Sequence, residues 1–144
     1  MSILGTRAEL VYDLNLLLQI LIILVLFSGA YFAKMKANYR IHGKTMTSAI
    51  VLNAISIMLV MGPRLVDSLG FLTSTITELR TQVAVLHATL GLTAEILGLI
   101  AVFVLSPCGS KMGTNVKYLM RTTFAIWALA FLLGATTYLA FYVL

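Results

Sequence analysis

Few side chains in this sequence could bind a metal or carry a proton in apolar surroundings. Imidazoles occur only at His42 and His87, and Glu95 places a carboxyl group inside a long apolar run. A charged side chain is costly to place in hydrocarbon, so such a residue is a candidate functional group by default. These three residues are the starting point for a site.

Glu95 has a predicted partner on another apolar segment. Asn53 lies about nine residues from the basic end of the second apolar run, and Glu95 lies about ten from the corresponding end of the third. At 1.5 Å per helical residue both are at nearly the same depth, roughly 15 Å. We therefore predict a hydrogen bond between them. The pair has two interpretations, a protonated glutamic acid that links two helices or a group that transfers protons or contacts a cofactor.

Two glycines lie on the same helix face as Glu95. Gly91 precedes it by four residues and Gly98 follows it by three. Because small residues let a neighbouring helix approach closely, we expect both glycines to pack against another helix.

His87 has a candidate co-ligand in Met58, which is predicted to lie at a similar depth on the neighbouring helix. A histidine and a methionine can together ligate haem iron or copper. The alternative is a hydrogen-bonded structural histidine beside ordinary packing methionines. His42 is expected at the opposite side, about 30 Å away across the hydrocarbon core, so the two imidazoles cannot bind one haem. The identity of any metal stays open.

The composition predicts an all-α membrane protein. Of 144 residues, 60% are hydrophobic and 10% are charged, whereas a soluble domain carries roughly 25% charged residues. Crossing the hydrocarbon core takes about 20 helical residues, and unpaired strands cannot cross lipid. We predict one domain, 1–144, an antiparallel bundle of four transmembrane helices at about 10–33, 44–62, 83–105 and 118–143.

Charge predicts the orientation of these helices. Seven lysines and arginines lie in or beside the connections 34–43 and 106–117, against three on the other side. Because positive charges accumulate in cytoplasmic loops, these connections are predicted to be cytoplasmic and both termini to lie outside the cytoplasmic membrane. The net charge of +5 is attributed to this asymmetry and not to nucleic-acid binding. A leucine-rich stripe predicts a short amphipathic interfacial helix at about 64–80.

The sequence offers no constellation of nucleophile, base and orienting acid, so an enzyme is not expected. Cys108 is the single cysteine and has no CxxC partner. We interpret it as a surface thiol.

Three stretches in a fixed order resemble the CtaM/YozB family of small membrane proteins. They are 40–46, 83–98 and 121–138, and the resemblance covers about residues 34–142. It implies a role in the maturation of haem–copper terminal oxidases, with family-typical positions at His42, Met46, His87, Arg121, Trp127 and Tyr138. Family members often carry another histidine before the last helix, where this chain has 117–120 without one. If the handling of haem or metal requires that imidazole, the departure favours a structural role.

Three functions remain open at this point. The first is an assembly or accessory factor for a haem–copper oxidase or related respiratory complex, with haem or copper handled transiently. The second is a small b-type haem electron carrier. The third is a non-catalytic accessory subunit of a larger membrane complex. In each case the expected partners are the lipid bilayer and other membrane subunits.

Overall fold

The computed structural model describes residues 3–75, 77–105 and 114–143, and within these ranges it contains helices and turns and no strand. The helices are α1 (Leu10–Met35), α2 (Tyr39–Ser56), α3 (Gly62–Ser74), α4 (Leu79–Leu99) and α5 (Thr114–Tyr142). Two π-helical segments, Ile57–Met61 and Ile100–Leu105, directly follow α2 and α4. Cys108 and most of the predicted connection 106–117 lie outside the described residues.

In the described part of the chain, four helices are long and apolar enough to cross a membrane, which confirms the predicted number of candidate spans. They are Leu10–Met35, Tyr39–Ser68, Leu79–Phe103 and Lys117–Tyr142. The all-helical prediction is likewise confirmed for the described part of the chain.

The turn between α1 and α2 is shorter than the predicted connection 34–43. Only residues 36–38 lie between the two helices. Ala37 has a φ of +49°, and the Asn38 N–H donates to the Phe32 carbonyl at 3.0 Å, so the chain reverses tightly. The Asn38 side chain then accepts from the Ile41 N–H at 3.1 Å. An asparagine cap of this kind satisfies a free helix N–H, and α2 therefore begins at Tyr39 instead of near 44.

The second candidate span runs without a break into the predicted interfacial helix. The π-helical segment Ile57–Met61 joins α2 to α3 just before Pro63, which has no N–H to donate and crowds the preceding turn. The Gly62 N–H bonds to the Ile57 carbonyl, and a Cβ at Gly62 would lie only 2.9 Å from that oxygen. Glycine is therefore needed there. The predicted range 64–80 divides between α3, which ends at Ser74, and the start of α4.

The four long helices each contact two others. α1 packs against α2 and α5, and α4 packs against α2 and α5. One buried apolar cluster joins them, with Ile22 from α1, Ala49 from α2, Ala94 from α4 and Trp127 from α5. The groups described below are positioned by these contacts.

The two glycines beside Glu95 have different surroundings. A Cβ at Gly98 would lie 3.2 Å from the Ile50 side chain and 3.5 Å from the Trp127 ring, so α4 approaches its neighbours closely there. A Cβ at Gly91 would meet no heavy atom within 4 Å. The expectation of close packing was therefore wrong for Gly91, because its face of α4 borders a cavity.

Leucine substitutions at Gly98 and Gly91 are expected to differ in their effect on the free energy of unfolding. We expect Gly98→Leu to lower the free energy of unfolding by about 1–3 kcal/mol, because extra methylenes would overpack the contact with Ile50 and Trp127. Gly91→Leu should cost far less, because its side chain enters open space. Thermal unfolding of the purified variants in mild detergent measures the difference, and equal melting temperatures would contradict it.

Candidate functional site

The predicted hydrogen bond between Asn53 and Glu95 is present. Asn53 Nδ2 donates to Glu95 Oε2 at 2.9 Å, and each residue is only 4% exposed. The other carboxyl oxygen of Glu95 is buried and has no hydrogen-bond partner among the described residues. The pair links α2 to α4 and leaves Oε1 of Glu95 without a hydrogen-bond partner among the described residues.

The Asn53–Glu95 pair is the end of a longer polar network that reaches α1. Gln19 Nε2 lies 3.1 Å from both Asn53 Oδ1 and Ser56 Oγ, and it donates to these two oxygens. Ser56 Oγ in turn donates to Asn15 Oδ1 at 2.6 Å. Three helices are therefore joined by side-chain hydrogen bonds through the interior.

His87 links α4 to α5. Its Nδ1–H donates to the Ala130 carbonyl at 2.8 Å, and the ring lies so close to Gly134 that a Cβ there would be 2.6 Å from the ring Cε1. Nε2 makes no hydrogen bond with the described residues. A histidine whose Nδ1–H is held by a carbonyl has the tautomer that offers Nε2 to a ligand. The arrangement serves helix packing and leaves one nitrogen available.

His42 makes the same kind of contact between α1 and α2. Its Nδ1–H donates to the Gly29 carbonyl at 2.9 Å, and a Cβ at Gly29 would lie 2.6 Å from Met46 Cε. Gly29 is near the end of α1, whereas the start of α1 meets the end of α5 through Asp13 and Tyr138. His42 therefore lies toward the end of α1, whereas His87 contacts α5 at Ala130 and Gly134. The separation of about 30 Å across the core stays a prediction.

Met58 is not placed as a co-ligand of His87. Its side chain is 73% exposed and does not line the cavity that His87 borders. The π-helical segment holds more residues per turn than an α-helix, which rotates the side chains that follow Ser56. Met61 lines the cavity instead.

A cavity of about 360 Å³ lies among α1, the second span, α4 and α5. This volume is within the range typical of small-molecule sites. The lining is mainly apolar, and its polar members include Tyr12, Gln19, Asn53, Arg64, His87 and Tyr138. The predicted candidates His87 and Asn53 thus border one space, while His42 does not.

Asp13 is a buried residue that the sequence interpretation missed. It is 0% exposed, and its Oδ2 accepts from the backbone N–H groups of Ile3 at 2.7 Å and Leu4 at 3.1 Å. Tyr138 donates a hydrogen bond to Asp13 Oδ1. The carboxylate therefore fixes the segment before α1 against the end of α5. The only signal was an acidic residue in the first turn of an apolar helix.

The family-typical positions do not form one cluster. His42 and Met46 belong to the α1–α2 contact, and Arg121 is exposed in the first part of α5. His87, Trp127 and Tyr138 all line the cavity. Half of the set is therefore gathered around one space.

No group of three or more histidine, cysteine, aspartate or glutamate side chains within the described ranges is arranged to hold a metal ion. Comparisons of the chain with protein-family models, curated proteins and solved structures found no match.

Substitution of Glu95 tests its contribution to stability. Glu95→Gln should retain an acceptor for Asn53 Nδ2 and unfold near the wild-type temperature. Glu95→Ala should lose about 1–3 kcal/mol, because it leaves the buried amide without its partner. Thermal unfolding in detergent measures both, and a large loss in Glu95→Gln would contradict a linking role for the neutral group.

Proposed function

We propose that the chain is an integral membrane accessory or assembly factor for a haem–copper terminal oxidase or a related respiratory complex. In this proposal the four long helices form an antiparallel bundle across the cytoplasmic membrane. Two observations support membrane insertion. Large apolar side chains are exposed along the four candidate spans, while Asp13, Asn53 and Glu95 are buried. Hydrocarbon is the solvent that favours this distribution.

The observation that carries the proposal is the position of His87 beside the cavity with its Nδ1–H already bonded to Ala130. A single imidazole prepared in this way suits a transient contact with haem or copper delivered to an oxidase as cargo. The remaining ligands would come from the cargo or from a partner subunit. Trp127 and Tyr138 border the same space and would shape it.

The same contacts bear differently on the two alternative functions. A b-type haem carrier needs a stable second axial ligand, but Met58 is exposed and His42 is bonded toward the other end. A purely structural accessory subunit is favoured by the use of both imidazoles in helix contacts. Co-purification at fixed stoichiometry with a large complex supports that subunit, and a haem absorbance band in the purified protein supports the carrier.

The proposed orientation is tested by cysteine labelling in a Cys108→Ser background. We expect Ile3→Cys to react with a membrane-impermeant maleimide in intact cells, because the termini are proposed to lie outside. Ala37→Cys, in the turn between α1 and α2, should react only after permeabilisation. Labelling of Ala37→Cys in intact cells would contradict the proposed orientation and place the turn between α1 and α2 outside.

The role of His87 is tested by complementation of a deletion strain with His87→Ala and His42→Ala. Each variant loses one hydrogen bond between helices, worth about 1 kcal/mol, but only His87 borders the cavity. We expect His87→Ala to lower oxidase activity and the haem and copper content of membranes severalfold at equal protein level. His42→Ala should retain both. Equal oxidase activity in the two strains would contradict the proposal that His87 contacts the cargo.

A further inference from the structure

We propose that the cavity binds a single-chain amphiphile with an anionic head group. The head would lie at Arg64, and the chain would extend along the apolar wall toward Trp127. The inference does not depend on the accessory function, because it concerns binding by the purified protein alone.

Arg64 supplies the head-group contact. It lies near the start of α3 and lines the cavity, with its guanidinium 5.4 Å from the centre of the Tyr12 ring. Tyr12 in turn stacks on Tyr142 at 5.4 Å, so an aromatic pair holds the arginine at the end where α1 begins and α5 ends. No carboxylate of the described residues forms an ion pair with Arg64. Its forked N–H donors suit a carboxylate or a phosphate.

The walls of the cavity suit a hydrocarbon chain better than a polar metabolite. They are predominantly apolar, with Leu16 from α1, Ile57 from the π-helical segment and Phe131 from α5 among the lining residues. Gly91 adds open space, since a Cβ there would meet no heavy atom within 4 Å. An apolar chain placed against these walls is removed from water, which stabilises its binding.

Asn53 and His87, two polar residues that line the cavity away from Arg64, each have a protein partner, while His87 Nε2 has none among the described residues. Asn53 is bonded to Gln19 and Glu95, and His87 is bonded to Ala130. Among the residues that line the cavity, Arg64 thus supplies the cationic group without a protein counter-ion in the described part of the chain. Charge complementarity therefore selects an anionic head over a neutral or cationic one.

Trp127 provides a built-in reporter, because it is the single tryptophan of the chain and lines the cavity. The probe is stearic acid carrying a doxyl quencher near the chain end, added to protein in a neutral detergent. We expect saturable quenching of Trp127 fluorescence that unlabelled stearic acid reverses. The methyl ester of the probe, which lacks the charge, should bind about fivefold more weakly.

Two variants locate the ligand. Arg64→Gln should weaken binding of the acid to the level of the ester, and Arg80→Gln is the matched control because Arg80 is exposed and does not line the cavity. Gly91→Leu should abolish saturable quenching while the protein remains folded, because its side chain occupies the space of the ligand.

The source of the anion is distinguished by competition with two unlabelled compounds. Displacement of the probe by lysophosphatidic acid alone assigns a phosphate head, and displacement by stearic acid alone assigns a carboxylate; either result, or both, supports the proposal. Non-saturable quenching, equal affinity for acid and ester, or equal effects of Arg64→Gln and Arg80→Gln would overturn it. None of these results depends on the oxidase phenotype of the deletion strain.

Discussion

The polar network that runs from Asn15 to Glu95 is the constraint on which the rest of the proposed membrane structure depends. Lipid tails are as apolar as leucine, so burial of apolar surface does not by itself hold helices together in a bilayer. Close packing and hydrogen bonds must supply the association. The amide of Asn53, bonded on one side to Gln19 and on the other to Glu95, joins three helices through one side chain.

The two histidines add further contacts between helices, one at the α1–α2 pair that the network already joins and one at the α4–α5 pair that it does not. His42 joins α2 to α1, and His87 joins α4 to α5, each through a backbone carbonyl beside a glycine. Gly29 and Gly134 have no side chain, so the opposing side chains approach the backbone closely. An imidazole of this kind can link two helices through Nδ1–H and still offer Nε2 to a ligand.

Features that depend on regular helical geometry could be predicted from the sequence. The Asn53–Glu95 hydrogen bond was predicted from equal depth at 1.5 Å per residue on two helices taken to be neighbours. The pairing of Met58 with His87 was not found, because the π-helical segment before Pro63 changes which side chains face inward. Asp13 was missed because its burial depends on a segment before α1 that folds back over the helix ends. Such a contact leaves no periodic signal.

Gly91 shows why the site was harder to predict than the spans. A glycine on the face of a buried glutamate is typical of close helix packing, and Gly98 has that role. Gly91 lies two turns away on the same helix, but α4 there faces the cavity and not a neighbouring backbone. The separation of the helices decides between these outcomes, and it is set by every contact in the structure together. Side chains that border a cavity lack dispersion contacts on that side, so the proposed amphiphile would add such contacts next to the buried cluster that contains Trp127.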